Sequence, residues 1–378
     1  MSVLIPILMF LAAAIIAFAL LSIARRKNVD IIVRSRRTPP ACSGLRHIFF
    51  CVADHFEPLW NGADPSTAMR RIDTWVERYP QQFAGIRDRG GHAPKHTFFY
   101  PAEQYEPGYI DRLARLVQGG WGDIEVHLHH DNDTAEGLRD TLVSFRDALH
   151  MRHGLLRRDR EGIRYGFIHG NWALDDSGAG GRYCGVKNEP ALLRETGCFA
   201  DFTYPSAPHA TQPPIINRIY YPAGEKESGK SHHRGTDAVR GREPAGDLLL
   251  ITGPLAINWR ARRRLLFPAI ENGDITGLNP PTRDRVDIWI STAVGVVEWP
   301  RWIFVKVHTH GAQERNMDLL LGDETLAMHE YLLSRYNDGE RYVLHYVTAW
   351  EMFQCVRALE MNDSEAIGRI EAFEYPHD

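Results

Sequence analysis

The sequence predicts an α/β domain of parallel βα units, barrel-like with about seven strands, preceded by one N-terminal transmembrane helix. Short apolar runs alternate with segments of helical spacing along most of the chain, the order that parallel βα units produce. The runs are nearly continuous in apolar residues, as strands covered on both faces require. The third observation is VLIPILMFLAAAIIAFALLSIA, Val3 to Ala24, which carries no charge. As a helix rising about 1.5 Å per residue it would cross a hydrocarbon core of roughly 30 Å.

The elements follow in order. Residues 1–27 read as an uncleaved anchor, because no basic residue precedes the apolar run as it would in a signal peptide. Arg25, Arg26, Lys27, Arg34, Arg36 and Arg37 all follow that run, so the charge pattern of a single-pass membrane protein leans toward a cytoplasmic domain. Residues 28–45, basic and containing Pro39-Pro40, read as a linker, and residues 46–378 as the folded domain. Strands are expected at HIFFCVA, HTFFY, DIEVHLH, YGFIHG, DLLLITG, VDIWIST and WIFVKVHTHG. Helices are expected at STAMRRIDTWVERY, YIDRLARLV, residues 135–150 and EPALLRETG, with DETLAMHEYLLSRYND and TAWEMFQCVRALEMN packed outside. Residues 222–246, rich in glycine and charge without periodicity, read as a long loop.

Composition narrows the function. A formal net charge of -4 gives no electropositive field to gather nucleic acid, so none is expected as a partner. The five cysteines are scattered without Cys-x-x-Cys spacing and read as ordinary buried thiols.

The polar residues fall where the apolar runs end, which in parallel α/β architectures is the ligand-binding face. Asp54, His55 and Glu57 follow the first run; His127, His129, His130 and Asp131 the third; His169, Asn171 and Trp172 the fourth; His308 and His310 the last. Imidazoles mixed with carboxylates suit a divalent transition metal, zinc above all. Side chains alternate along an extended segment, so in EVHLHHDND His127 and His129 point one way and His130 the other. Trp172, Trp259 and Trp299 are candidates to stack on sugar rings.

The ordered stretches FFCVADHFEP, HTFFYP, GGWGDIEVHLHHD, GFIHGNWAL, ALLRETGCFADFTYPSAP and FVKVHTHG resemble the polysaccharide deacetylase family with the NodB-homology domain, over residues 46–312. The resemblance implies a distorted (β/α) barrel that removes acetyl groups from a polysaccharide or glycan precursor with a divalent metal. It implies Asp54 as base, His55 or Glu57 as one ligand, His127 and Asp131 as further ligands with His129 as alternative, and His308 as acid. His169-Gly170-Asn171-Trp172 stands at the family's third motif, whose arginine is lost, and His310 would tune His308 or touch substrate. That loss keeps open a second function, a drifted carbohydrate-binding protein of a polysaccharide assembly complex. A glycosidase using Asp54 and Glu57 as paired carboxylates would leave the histidines without a role.

Overall fold

The computed structural model describes residues 28–35, 42–244, 246, 248–263 and 267–364, with isolated residues 7, 10, 18 and 22. In chain order the elements are α1 (Val29–Ser35), β1 (Arg46–His55), α2 (Pro65–Phe83), β2 (His96–Pro101), α3 (Pro107–Gln118), β3 (Gly122–Leu128), α4 (Ala135–His153), β4 (Arg157–Asp159), β5 (Gly162–His169), α5 (Glu189–Glu195) and β6 (Cys198–Asp201). There follow β7 (Ile219–Pro222), β8 (Gly235–Asp237), β9 (Leu249–Ile251), β10 (Ala256–Arg263), β11 (Phe267–Glu271), α6 (Arg283–Ser291), β12 (Trp302–Thr309), α7 (Glu314–Leu320), α8 (Asp323–Tyr336), β13 (Tyr342–Tyr346) and α9 (Ala349–Glu360).

Local chemistry starts the helices. Asp64 accepts from the amides of Ser66 and Thr67 ahead of Pro65, so α2 begins with its first donors satisfied. Thr348 and Glu351 form a reciprocal capping box at the start of α9.

One mostly parallel sheet organises the chain, in the order β12-β1-β2-β3-β5-β6-β9-β7-β8, with β13 also on β1 and β4 on β5. The seven strands from β12 to β9 pair parallel, and β7 then pairs antiparallel to β9. Among the described residues no hydrogen-bonded ladder joins β9 to β12, so the sheet is not a closed barrel. The two nevertheless approach. Lys306 on β12 donates to the carbonyls of Phe202 and Tyr204, each at 2.7 Å, and a Cβ on Gly253 would strike the carbonyl of Lys306.

Alternation divides the core. Ile48, Phe50 and Val52 pack with Trp75, Leu113 and Leu142 of the helical layer. Phe49, Cys51 and Ala53, on the opposite face, pack with Phe199, Phe202, Phe304 and α9. The last helix is therefore inside the curl of the sheet, where external packing was expected, because Val356, Leu359, Met352 and Cys355 complete that apolar face. VDIWIST is helical rather than extended, since Val286, Trp289 and Ile290 recur at helical spacing and are buried. The long loop expected over 222–246 carries an antiparallel pairing of β8 with β7.

The membrane assignment is corrected. Among the described residues no helix is long and apolar enough to cross a bilayer. Val3 to Ala24 lies, apart from Ile7, Phe10, Phe18 and Ser22, outside the described residues. The nearest helix, α1, has 7 residues and carries Asp30 and Arg34, which gives about 10 Å of rise against the roughly 30 Å needed. Nor is 28–45 a plain linker, because Ile32 of α1 packs against Ala207, Ile216 and Leu255.

Candidate functional site

β1, β3 and β12 end side by side, and residue parity decides which of their polar groups meet. Residues with the parity of Phe49 on β1 and Phe304 on β12 face the inside of the curl, so His55 and His308 arrive there, and His127 comes from β3. The His55 ring stacks on His310 at 4.7 Å and meets His127 edge-on at 5.0 Å, with His308 at 6.3 Å. Glu57 Oε1 stands 3.4 Å from His127 Nε2 and 3.3 Å from His129 Nε2.

This donor set fits a divalent metal. One ligand atom from each of Glu57, His127 and His129 lies within 4.8 Å of the others. His127 Nδ1 donates to the carbonyl of Ile168 at 2.8 Å, and His129 Nδ1 donates to Glu103 at 2.6 Å. Each ring thus turns Nε2 toward Glu57 with its other nitrogen held by an oxygen, the outer-shell arrangement typical of metal-binding histidines. Gly170 is needed beside this group, because a Cβ there would strike the His129 ring.

The electrostatics tie the carboxylate to the imidazoles. Burial works to raise Glu57, but hydrogen bonds from His127 and His129 hold it well below the usual carboxylate range. Burial lowers His129, yet hydrogen bonds to Glu103 and Glu57 outweigh it and raise the imidazole to about 9. Burial keeps His55 and His308 well below the ordinary histidine value, and lowers His310.

Other residues named from sequence have different places. Asp54 is fully buried, with Oδ2 2.8 Å from His96 Nε2 and Oδ1 accepting from Gly311 N at 2.6 Å. It ties the end of β1 to the turn after His310. Asp131 is exposed, and its Oδ1 accepts from the amides of Tyr183 and Asn132. His169 belongs to a separate group with His130. Asn171 is exposed at φ 53. Trp172 stands at the rim, 6.3 Å from His55 and 6.4 Å from His310, and its buried Nε1 has no hydrogen-bond partner among the described residues. Trp259 is exposed on β10, and Trp299 packs under Arg240 and edge-on to Trp302.

Sequence reasoning missed His96 and Glu103 as supports, and gave Lys306 no role. A polar residue inside an apolar run was the available signal for Lys306; nothing local marked the other two.

An α/β protein with a histidine and carboxylate group at the carboxyl ends of its parallel strands is the class that fold and site define. Neither the models of known protein families nor the curated proteins give a match to this chain.

Proposed function

We propose that the protein is a metal-dependent hydrolase that removes acetyl or related acyl groups from a polysaccharide or glycan precursor. The observation that carries this is the meeting of Glu57, His127 and His129 with His55, His308 and His310 on one face. The resemblance to polysaccharide deacetylases supports the same reading, with the seven parallel strands as a distorted, laterally open version of that family's barrel.

Glu57, His127 and His129 would hold the metal, with zinc the ion that two imidazoles and a carboxylate suit. When bound, it supplies Lewis-acid polarisation of the acyl carbonyl and activation of water. The chain's own residues do the rest. The neutral imidazoles of His55, His308 and His310 are placed to accept a proton and return it to the leaving amine or alkoxide. Asp54, with both oxygens engaged, positions the His310 turn rather than serving as base. Trp172 offers an apolar ring at the rim for a sugar face.

The test is acetate release from N- and O-acetylated oligosaccharides by the metal-loaded full chain, with Glu57→Gln alongside. Release that needs added metal and disappears in the variant supports the reading. A folded, metal-loaded chain that binds such glycans without releasing acetate would instead establish the carbohydrate-binding alternative, which the missing arginine favours.

A further inference from the structure

A second group of donors lies under the loop that joins β5 to α5, on the opposite side of β3 from the first. His130 has the parity of Val126 and Leu128, so it turns toward the helical layer while His127 and His129 turn inward. There it meets His169, the last residue of β5, with the two Nε2 atoms 2.8 Å apart. His130 Nδ1 faces Asp133 Oδ2 at 3.1 Å, and His169 Nδ1 faces the carbonyl of Gly170 at 2.6 Å. Both rings therefore donate from Nδ1, and the short approach of their Nε2 atoms calls for a proton or a metal ion between them.

Glu189 adds a third acceptor. Its Oε1 stands 3.4 Å from His130 Nε2 and 3.5 Å from His169 Nε2, and among the described residues this fully buried atom has no hydrogen-bond partner of good geometry. Its other oxygen accepts from Asp175 N at 2.6 Å, which fixes the direction of Oε1. Three acceptors converging in a dry place need a cation among them. A single shared proton could serve the two rings, and the Cys184 thiol can donate to Val186 O or Glu189 Oε2 at 3.4 Å, but these leave Glu189 Oε1 without a hydrogen bond. Cys184 Sγ belongs to the same group, with all four ligand atoms within 4.8 Å. The amides of Asp176 and Val186 both point at that sulfur at 3.4 Å, while burial and the nearby Glu189 carboxylate hold the thiol proton on until a cation displaces it.

We propose that His130, His169, Cys184 and Glu189 form a second divalent-metal site, and that the ion fastens the 170–189 loop to the ends of β3 and β5. Two imidazoles, a thiolate and a carboxylate are a borderline-soft set that suits zinc. With four protein ligands and little exposure, the site is of the closed, structural kind. Binding displaces the Cys184 thiol proton to solvent and replaces the Sγ–H bond with a metal–sulfur bond. The loop it secures holds Asn171, Trp172, Asp175, Asp176 and Asn188 at φ between 53 and 59, conformations that need outside support in residues other than glycine. Trp172, at the rim of the first group, is carried on that loop. The proposal does not depend on the hydrolase reading.

Sulfur separates the two sites, because the first group contains none. The full chain loaded with cobalt(II) should show a thiolate-to-cobalt charge-transfer absorption that Cys184→Ser abolishes and Glu57→Gln with His127→Ala retains. Absence of that band in the folded, cobalt-loaded protein, or its survival in Cys184→Ser, would overturn the proposal. The unmutated zinc protein gives an independent check should Cys184→Ser fail to fold. X-ray absorption at the zinc edge should contain a sulfur neighbour at about 2.3 Å, and a shell of nitrogen and oxygen alone would refute it.

Discussion

His127 is the residue on which the first site turns, since it holds Glu57 on one side and the β5 backbone on the other. His127→Ala should lower bound metal by one equivalent per chain and reduce acetate release by more than about 100-fold, beyond what outer-shell losses cost. Glu103→Gln removes only the partner of His129 Nδ1, so metal should still bind, with affinity lower by about 10–100-fold in competition with a chelator. Lys306 illustrates a different kind of residue. Its buried ammonium satisfies two carbonyls where β12 faces the end of β6, although burial lowers its pKa to about 7. Lys306→Met leaves both acceptors without that donor and should destabilise the fold by about 2–4 kcal/mol in urea unfolding, a value near zero counting against its structural role.

At the scale of elements, the 170–189 loop connects the two groups of histidines. It leaves β5 through Gly170, against which the His129 ring lies, and returns at Glu189. Gly170→Ala should therefore act on the first site as well as on the loop, costing about 1–3 kcal/mol of stability through overpacking and weakening metal binding in the same variant. If an ion secures the loop, trypsin should cut after Arg182 and Lys187 much faster once metal is chelated. Equal rates with and without chelator, read by mass spectrometry of the fragments, would contradict that. Part of the element order was legible in the sequence, while β4, β6, β7, β8, β10, β11, β13 and α7 were not expected from it. β1, β2, β3, β5 and β12 coincide with apolar runs, and α2, α3, α4, α5 and α8 with helical spacing. VDIWIST was not, because its apolar residues are compatible with either period, and Trp289 donating to Glu271 Oε1 at 2.7 Å settles the helix.

For the whole molecule, the buried histidines set the acid limit. Burial lowers His329 to about 3 and His345 to about 4, and neither lies in the metal-binding groups. The unfolded chain begins to protonate the same residues near 6.5. Between those values the unfolded state binds more protons, so these groups' contribution is complete above pH 6.5 and falls as pH drops toward 4. Each contributes a slope of up to about 1.4 kcal/mol per pH unit. Urea midpoints should thus decline from about pH 6.5 downward, and His329→Gln should flatten the decline. Midpoints constant down to pH 4.5 would show that the histidines are not held neutral.

The sequence by itself determined the order of parallel βα units, the placing of histidines at strand ends and the opposite facing of His127 and His130. These depend on local composition and on a two-residue period that any extended strand obeys. Only the tertiary structure decided that His169 leaves the first group for His130, that Cys184 and Glu189 join them, that Asp54 is engaged by His96 and Gly311, and that Asp131 stays outside. It also decided that α9 fills the inside of the sheet and that, among the described residues, no ladder joins β9 to β12. These outcomes are set by which distant surfaces bury one another, and no short-range pattern carries that information.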